Sequence, residues 1–404
     1  MIRQRDIHSG GHRSFRRQRW VGVMTASALA LAACGSGDDA TTTTDATTAA
    51  TAATEATVAD AAAAVEPTAP GDTTAAAAGD TTPATAVDGD ATPAIAAAAN
   101  AFLGSLTDDE RSAVLFDFSD TEQRQQWSNL PEGLYERDGV MWGDLDEDSQ
   151  QAWLGVMQAV LSDEGYTQVL GQWQADQALL ESGGGGGNLV FGEDYYWVAI
   201  IGEPSETDPW QFQFGGHHVT VNATIQGADV SVTPSFIGVQ PATFDADGNE
   251  IKPLGTIESD AYALVASLDS DQQSAAVLGG TLIDLVLGPG EDGTTIESQG
   301  IAGADLTAEQ QQLLLTLLAH YGGLVNEEDA AVRMAELTAE IGDTYFAWYG
   351  PTDPADTSGI YFRVTGPSIV IEYSGQAMGG SATDHIHGIY RDPTNDYGTG
   401  RARP

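Results

Sequence analysis

The sequence predicts an α+β protein, a single large globular domain in which an N-terminal helical part and central helices pack on an antiparallel β-sheet. Two observations carry this. Apolar residues step at helical spacing in two blocks, first at Ile95, Ala99, Phe102 and Leu106 and later between Thr256 and Ile341, and they alternate in the blocks between and after. Strand runs and helix runs that do not alternate regularly argue against a parallel sheet with crossover helices.

The chain opens with a basic stretch, Arg13, Arg16, Arg17 and Arg19, before the apolar run Val21 to Ala33. A run of 13 residues is too short to cross a bilayer as a helix and suits a secretory signal peptide, 1–33. Arg16-Arg17 is similar to a twin-arginine signal, but Arg19 stands where that pattern prefers an apolar residue, so general export is expected. The run ends Leu31-Ala32-Ala33-Cys34, which resembles the bacterial lipoprotein box. That resemblance implies a lipid on Cys34 after cleavage, hence a membrane partner through this anchor and an extracytoplasmic location. Several acyl chains anchor durably where one does not.

From 34 to 93 the composition collapses to Thr, Ala, Asp, Gly and Pro, without an aromatic residue. No core can form from it, and a coil of that length reaches roughly 40–50 Å, so it reads as a disordered stalk. The globular part is 94–404. Within it Trp153, Met157, Val160 and Leu161 continue the helical pattern, and Gly183 to Gly187 separates that part from strands at Tyr195–Ile201 and around a turn at Gly227. The tail alternates again at Phe346 and Trp348, Ile360 to Val364, Ile369 to Tyr373 and His385 to Ile389. Leu106-Thr107 with Glu110, Leu268 with Ser270 and Gln273, and Leu306-Thr307 with Gln310 read as capping boxes behind a hydrophobic staple, and their recurrence allows a duplicated helical unit. Asp245 to Glu250 has some spacing of a calcium loop, yet its Gly stands fourth and no Glu is twelfth, so a hairpin turn is expected.

Charge narrows the function. Against 15 Lys+Arg stand 59 Asp+Glu, a formal charge of -44, and the domain's only lysine is Lys252. Nucleic acid is repelled by such a surface, so no nucleic-acid partner is expected; a metal or small-molecule ligand fits better. The sole Cys excludes a disulfide framework and a thiolate metal cluster. No Gly-x-Ser-x-Gly elbow is present.

Histidine is scarce and clustered. Gly215-Gly216-His217-His218 and His385-Ile386-His387 hold four of the five histidines left after cleavage, while His320 stands alone in a Leu-rich helix as a core or surface residue. Residues two apart on a strand share a face, so His385 and His387 can grip one ion, with His217 or His218 adding a third imidazole. Imidazole suits a divalent transition metal: zinc, copper or iron. Three protein ligands and an open water position are the usual catalytic plan, whereas a histidine network without metal is the plain alternative. Glu372, in an apolar strand, and Glu258, at a helix start, are candidate ligands or bases; Glu372 is alternatively a structural partner of Arg363 or Arg391. Arg391 is a candidate for holding an anionic substrate group, and Asp384 and Asp392 for orienting imidazoles.

The stretches Trp210 to His218, Thr233-Pro234-Ser235-Phe236-Ile237-Gly238 and His385 to Gly398 resemble the domain of unknown function catalogued as number 3500. The resemblance spans about 98–400 and singles out both histidine motifs, but implies no activity. The expectation is a metal-dependent enzyme of hydrolase type, or a lipoprotein that binds metal or a small solute without turnover.

Overall fold

The computed structural model describes residues 90–184, 189–377 and 381–400. The predicted signal peptide 1–33, Cys34, most of the 34–93 stalk and Gly185–Gly187 lie outside the described residues.

In chain order the first half comprises helices α1 (Thr92–Ser105) and α2 (Asp108–Val114), strand β1 (Leu115–Phe116), α3 (Thr121–Gln125), β2 (Val140–Met141), α4 (Glu147–Val160) and α5 (Asp163–Glu181). Strands β3 (Trp197–Ile201), β4 (Trp210–Gly215), β5 (Val219–Gln226), β6 (Asp229–Ser231) and β7 (Ser235–Ile237) follow. A hairpin, β8 (Phe244–Ala246) and β9 (Asn249–Ile251), leads to the second half: α6 (Gly255–Ser267), α7 (Ser270–Ala276), β10 (Val277–Gly279) and β11 (Ile301–Ala302). There follow α8 (Ala308–Gly322), α9 (Glu327–Ala339), β12 (Tyr345–Tyr349), β13 (Tyr361–Thr365), β14 (Val370–Gly375) and β15 (Ile386–Arg391). The helical block expected between Thr256 and Ile341 is thus interrupted by two short strands. The calcium-loop lookalike is the β8–β9 hairpin turn, with Asp247 and Gly248 both at positive φ (54° and 80°) as an Asp-Gly turn requires.

The sheet runs β1-β3-β4-β5-β7-β15-β14-β13-β12-β10. It is mixed, not wholly antiparallel: β1 lies parallel to β3 and β10 parallel to β12, the other pairs along that path being antiparallel. These parallel edges were illegible because β1 and β10 are two and three residues long, too short to carry a period.

The same order of elements is traversed twice. In each half a capped short helix leads into a parallel edge strand, a glycine at positive φ (Gly139, Gly300) precedes an antiparallel strand, and two helices lead into the main strands. A Cβ on either glycine would collide with the carbonyl of Val198 or Phe346, so neither turn tolerates another residue. Gln150 Nε2 donates to Trp142 O at 3.0 Å and Gln311 Nε2 to Gly303 O at 2.8 Å, one bond made twice. A local two-fold relates the halves: Ser162 N donates to Leu324 O (3.1 Å) and Asn326 N to Val160 O (2.8 Å), and in the sheet Ser235 pairs with Tyr390. The duplication therefore extends beyond a helical unit to the whole helix-and-strand set.

Helices pack on one sheet face through aromatic residues. Trp153 of α4 stacks on Phe212 of β4 at 4.7 Å and meets Phe102 of α1 edge-on at 4.8 Å, and Trp348, Phe362 and Tyr373 stack in the second half. The capping boxes are made at Thr107, Thr307 and, in place of Ser270, Asp269, whose carboxylate accepts from Asp271 N and Gln272 N. Because Thr307 Oγ1 satisfies an otherwise orphaned amide, Thr307→Ala is expected to cost about 1 kcal/mol, read as a lower denaturant midpoint at unchanged m.

Candidate metal centre

The site forms at the sheet end where the β4–β5 turn faces the start of β15. Gly216 N bonds Val219 O (3.0 Å) and closes the turn, placing His218 at φ 69°, in the left-handed region. Its backbone is tied on both sides, N–H to Asn129 O (3.3 Å) and carbonyl to Gly238 N (2.8 Å). Opposite, paired hydrogen bonds between Val239 and Ile386 (both 2.9 Å) dock the first residues of β15. Ile386 enters the core while His385 and His387 take the other face, the alternation that spacing two predicts.

Three ring nitrogens meet there. His385 Nε2 lies 2.9 Å from His218 Nε2 and 3.1 Å from His387 Nε2, and the three potential ligand atoms fall within 4.8 Å of one another. Each Nε2 has one in-plane valence, a lone pair or an N–H, so His385 Nε2 can satisfy only one of two such neighbours. A cation receiving all three lone pairs removes the conflict. Burial, with a smaller effect of the three nearby imidazoles, holds His218 well below the usual histidine range, leaving it neutral as a metal ligand must be. His387 is the most open of the three, and its Nδ1 lies 3.9 Å from Asp284 Oδ1. Proximity to His387 holds the Asp284 carboxyl below its usual range.

His217 does not join them. Its Nδ1 pairs with Asp176 Oδ1 at 2.5 Å, its ring packs 3.6 Å from that of His218, and Phe191 covers it at 4.7 Å. Sequence reasoning missed Asp176, which lies in mid-α5 where only the burial of its helical neighbours hints at an inward carboxylate.

The three other site candidates are not drawn to the imidazoles. Glu372 accepts from Val286 N (2.9 Å), Leu287 N (2.8 Å) and the Tyr361 hydroxyl (2.7 Å), so it anchors the 284–287 loop. Neither expected arginine pairs with it: the Arg363 guanidinium donates to Gln299 Oε1 (2.8 Å), and Arg391 is engaged elsewhere. Glu258, in the first turn of α6, lies by Tyr262 and Tyr373, and burial raises its carboxyl. The correction for Arg391 is the clearest. Its side chain is 4 % exposed and donates to Leu287 O (2.8 Å), Gly288 O (3.1 Å), Asp292 and Asp396 (both 2.9 Å), leaving no fork for a substrate anion. Asp384 accepts from Ala242 N and Asp392 pairs with Arg333, so neither orients an imidazole. His320 is a half-buried partner of Asp260.

Glu372→Gln is accordingly expected to lower stability by about 1–3 kcal/mol by weakening three buried hydrogen bonds, with metal stoichiometry unchanged. Elemental analysis beside a urea titration checks both.

The family described as Protein of unknown function (DUF3500) matches residues 88–399. The chain belongs to this family. The DUF3500 match thus takes in both halves of the fold and all the histidines of the centre, and begins just ahead of α1. No curated protein and no solved structure matches the chain.

The second half of the DUF3500 domain shows what occupies the related position. By the two-fold, His217-His218 corresponds to Pro367-Ser368, Ile386-His387 to Val230-Ser231, and Asp176 to Glu340. There Arg333 donates to Ser368 Oγ (3.0 Å) and pairs with Asp392 (3.2 Å), lining a small cavity with Val230 and Val232. One half sets an arginine side chain beside its turn where the other gathers three imidazoles.

Proposed function

We propose that this protein is an exported lipoprotein, anchored outside the cytoplasm by a lipid on Cys34, whose DUF3500 domain binds one divalent transition metal through His218, His385 and His387 and uses it for hydrolysis. The observation that carries the metal reading is the convergence of three Nε2 atoms, each with a single in-plane valence. An all-imidazole set suits zinc, copper or iron and disfavours calcium and magnesium. Three neutral ligands leave the ion its full charge and a fourth position for water, whose pKa such an ion lowers to about 7. His218 and His385 supply buried, pre-oriented donors, His387 forms the solvent-side wall, and Asp284 is the carboxylate beside it. No helix among the described residues is long and apolar enough to cross a membrane.

A second reading, metal capture without turnover, rests on burial: His218 is 2 % and His385 7 % exposed, so the approach to the ion is narrow. Metal analysis of protein purified without a histidine tag tests the centre. One equivalent is expected in the parent and none in His385→Ala/His387→Ala; a metal-free parent ends the proposal. Azide added to the cobalt-substituted protein separates the two readings, because a spectral change requires an open position. Labelled palmitate that enters the parent but not Cys34→Ala tests the anchor.

A further inference from the structure

A histidine that binds metal through one ring nitrogen almost always donates its other N–H to a carboxylate, carbonyl or water, and this bond orients the ring. His218 departs from that pattern. Its Nδ1 is buried and meets no hydrogen-bond partner among the described residues. What touches the ring is His217, at a centroid distance of 3.6 Å and an interplanar angle of 31°.

His217 is itself held from every side. Asp176 Oδ1 takes its Nδ1, and Asp176 Oδ2 is fixed in turn by Gly192 N at 2.9 Å. The Tyr196 hydroxyl donates to the His217 carbonyl, and Phe191 lies against the ring. The Asp176 and His217 side chains are 3 % and 8 % exposed, so this is interior packing and not a surface pair. The second half supplies an internal comparison. Glu340, the counterpart of Asp176, accepts directly from Ser368 Oγ at 2.5 Å, and Ser368 is the counterpart of His218. In both halves a helix carboxylate pins the same turn, directly in one and through an interposed ring in the other.

We propose that His217 is a positioning residue of the metal centre, fixing ligand His218 by ring-on-ring packing in place of the hydrogen bond its Nδ1 lacks. The inference rests on the metal reading above. It has a chemical consequence. A ligand whose distal N–H is not polarised by an acceptor is a weaker electron donor, so the ion keeps more of its Lewis acidity and its retention depends on how rigidly the ring is held.

The test uses cobalt(II) as the probe, titrated into the untagged domain-bearing chain and read by visible absorption, beside thermal unfolding of each metal-free protein. His217→Ala removes the packing partner and is expected to weaken cobalt binding by about 10–100-fold with an altered spectrum. Asp176→Asn/His217→Phe keeps a planar ring without a buried charge, and is expected to bind within about threefold of the parent with the parent's spectrum. Parent-like binding by His217→Ala overturns the proposal. So does a double variant that binds as poorly as His217→Ala, since His217 would then act through its nitrogens. If His217→Ala does not fold, the double variant against the parent still decides. A parent that takes up no cobalt overturns the metal centre itself, a separate failure.

Discussion

Removing the proposed ion with a strong chelator is expected to lower the unfolding free energy by about 3–4 kcal/mol relative to protein held at 100 to 1,000 times the metal dissociation constant. The size follows from linkage alone, since a ligand that binds only the folded state adds RT ln(1 + [L]/Kd). The three donors come from positions 218, 385 and 387, two of them at the start of β15 and one in the β4–β5 turn, so the unfolded chain does not hold them together. An ion held by all three would therefore also staple the two halves of the sheet, which pair with each other through β7 and β15. Calorimetry should show the transition falling on chelation, recovering with added zinc, and already low and metal-independent in His385→Ala/His387→Ala. A parent transition indifferent to both chelator and metal would sink the centre.

Arg391→Ala is expected to cost about 3–5 kcal/mol at neutral pH, the range for breaking a buried ion pair from one side. The guanidinium serves two carboxylates, Asp292 and Asp396, and two carbonyls; truncation removes a donor from all four and leaves Asp292 the Tyr397 hydroxyl and Asp396 the Asp392 amide. The pH dependence has a definite sign. Burial raises the Asp396 carboxyl above its ordinary value, and Arg391 opposes that rise. A carboxyl raised on folding contributes stability below its unfolded pKa and loses it as pH climbs through the folded one. Without Arg391 the rise is larger, so the deficit of the variant grows from about pH 4 towards pH 7. Urea titrations at both ends check this; an equal deficit throughout would show that the lost carbonyl bonds and packing dominate.

The legible parts of this molecule were those encoded by neighbours in the chain. Capping boxes at Thr107 and Thr307, the Asp247-Gly248 turn, and the shared face of His385 and His387 each depend on residues within three positions of one another. Glu372 misled because a carboxylate in an apolar strand announces only that it has partners; these proved to be the amides of a loop 86 residues away and the Tyr361 hydroxyl. Arg391 misled for the same reason, since an arginine beside a histidine motif carries no mark of being fully engaged.

Local chemistry also made His217 and His218 equal candidates, because nothing in Gly-Gly-His-His ranks one above the other. Backbone conformation separated them. With φ at 69°, His218 is carried towards β15, while His217 is captured by Asp176 across 41 residues of sequence. The sequence by itself determined that a fold of helices and strands would form, where imidazoles would cluster and which pair would share a strand face, because side-chain period and local hydrogen bonding act over a few residues. Tertiary structure decided which third imidazole completes the set, which carboxylates stay away and that the fold is built twice, because those outcomes turn on strand register and long-range burial, to which no short stretch of chain is sensitive.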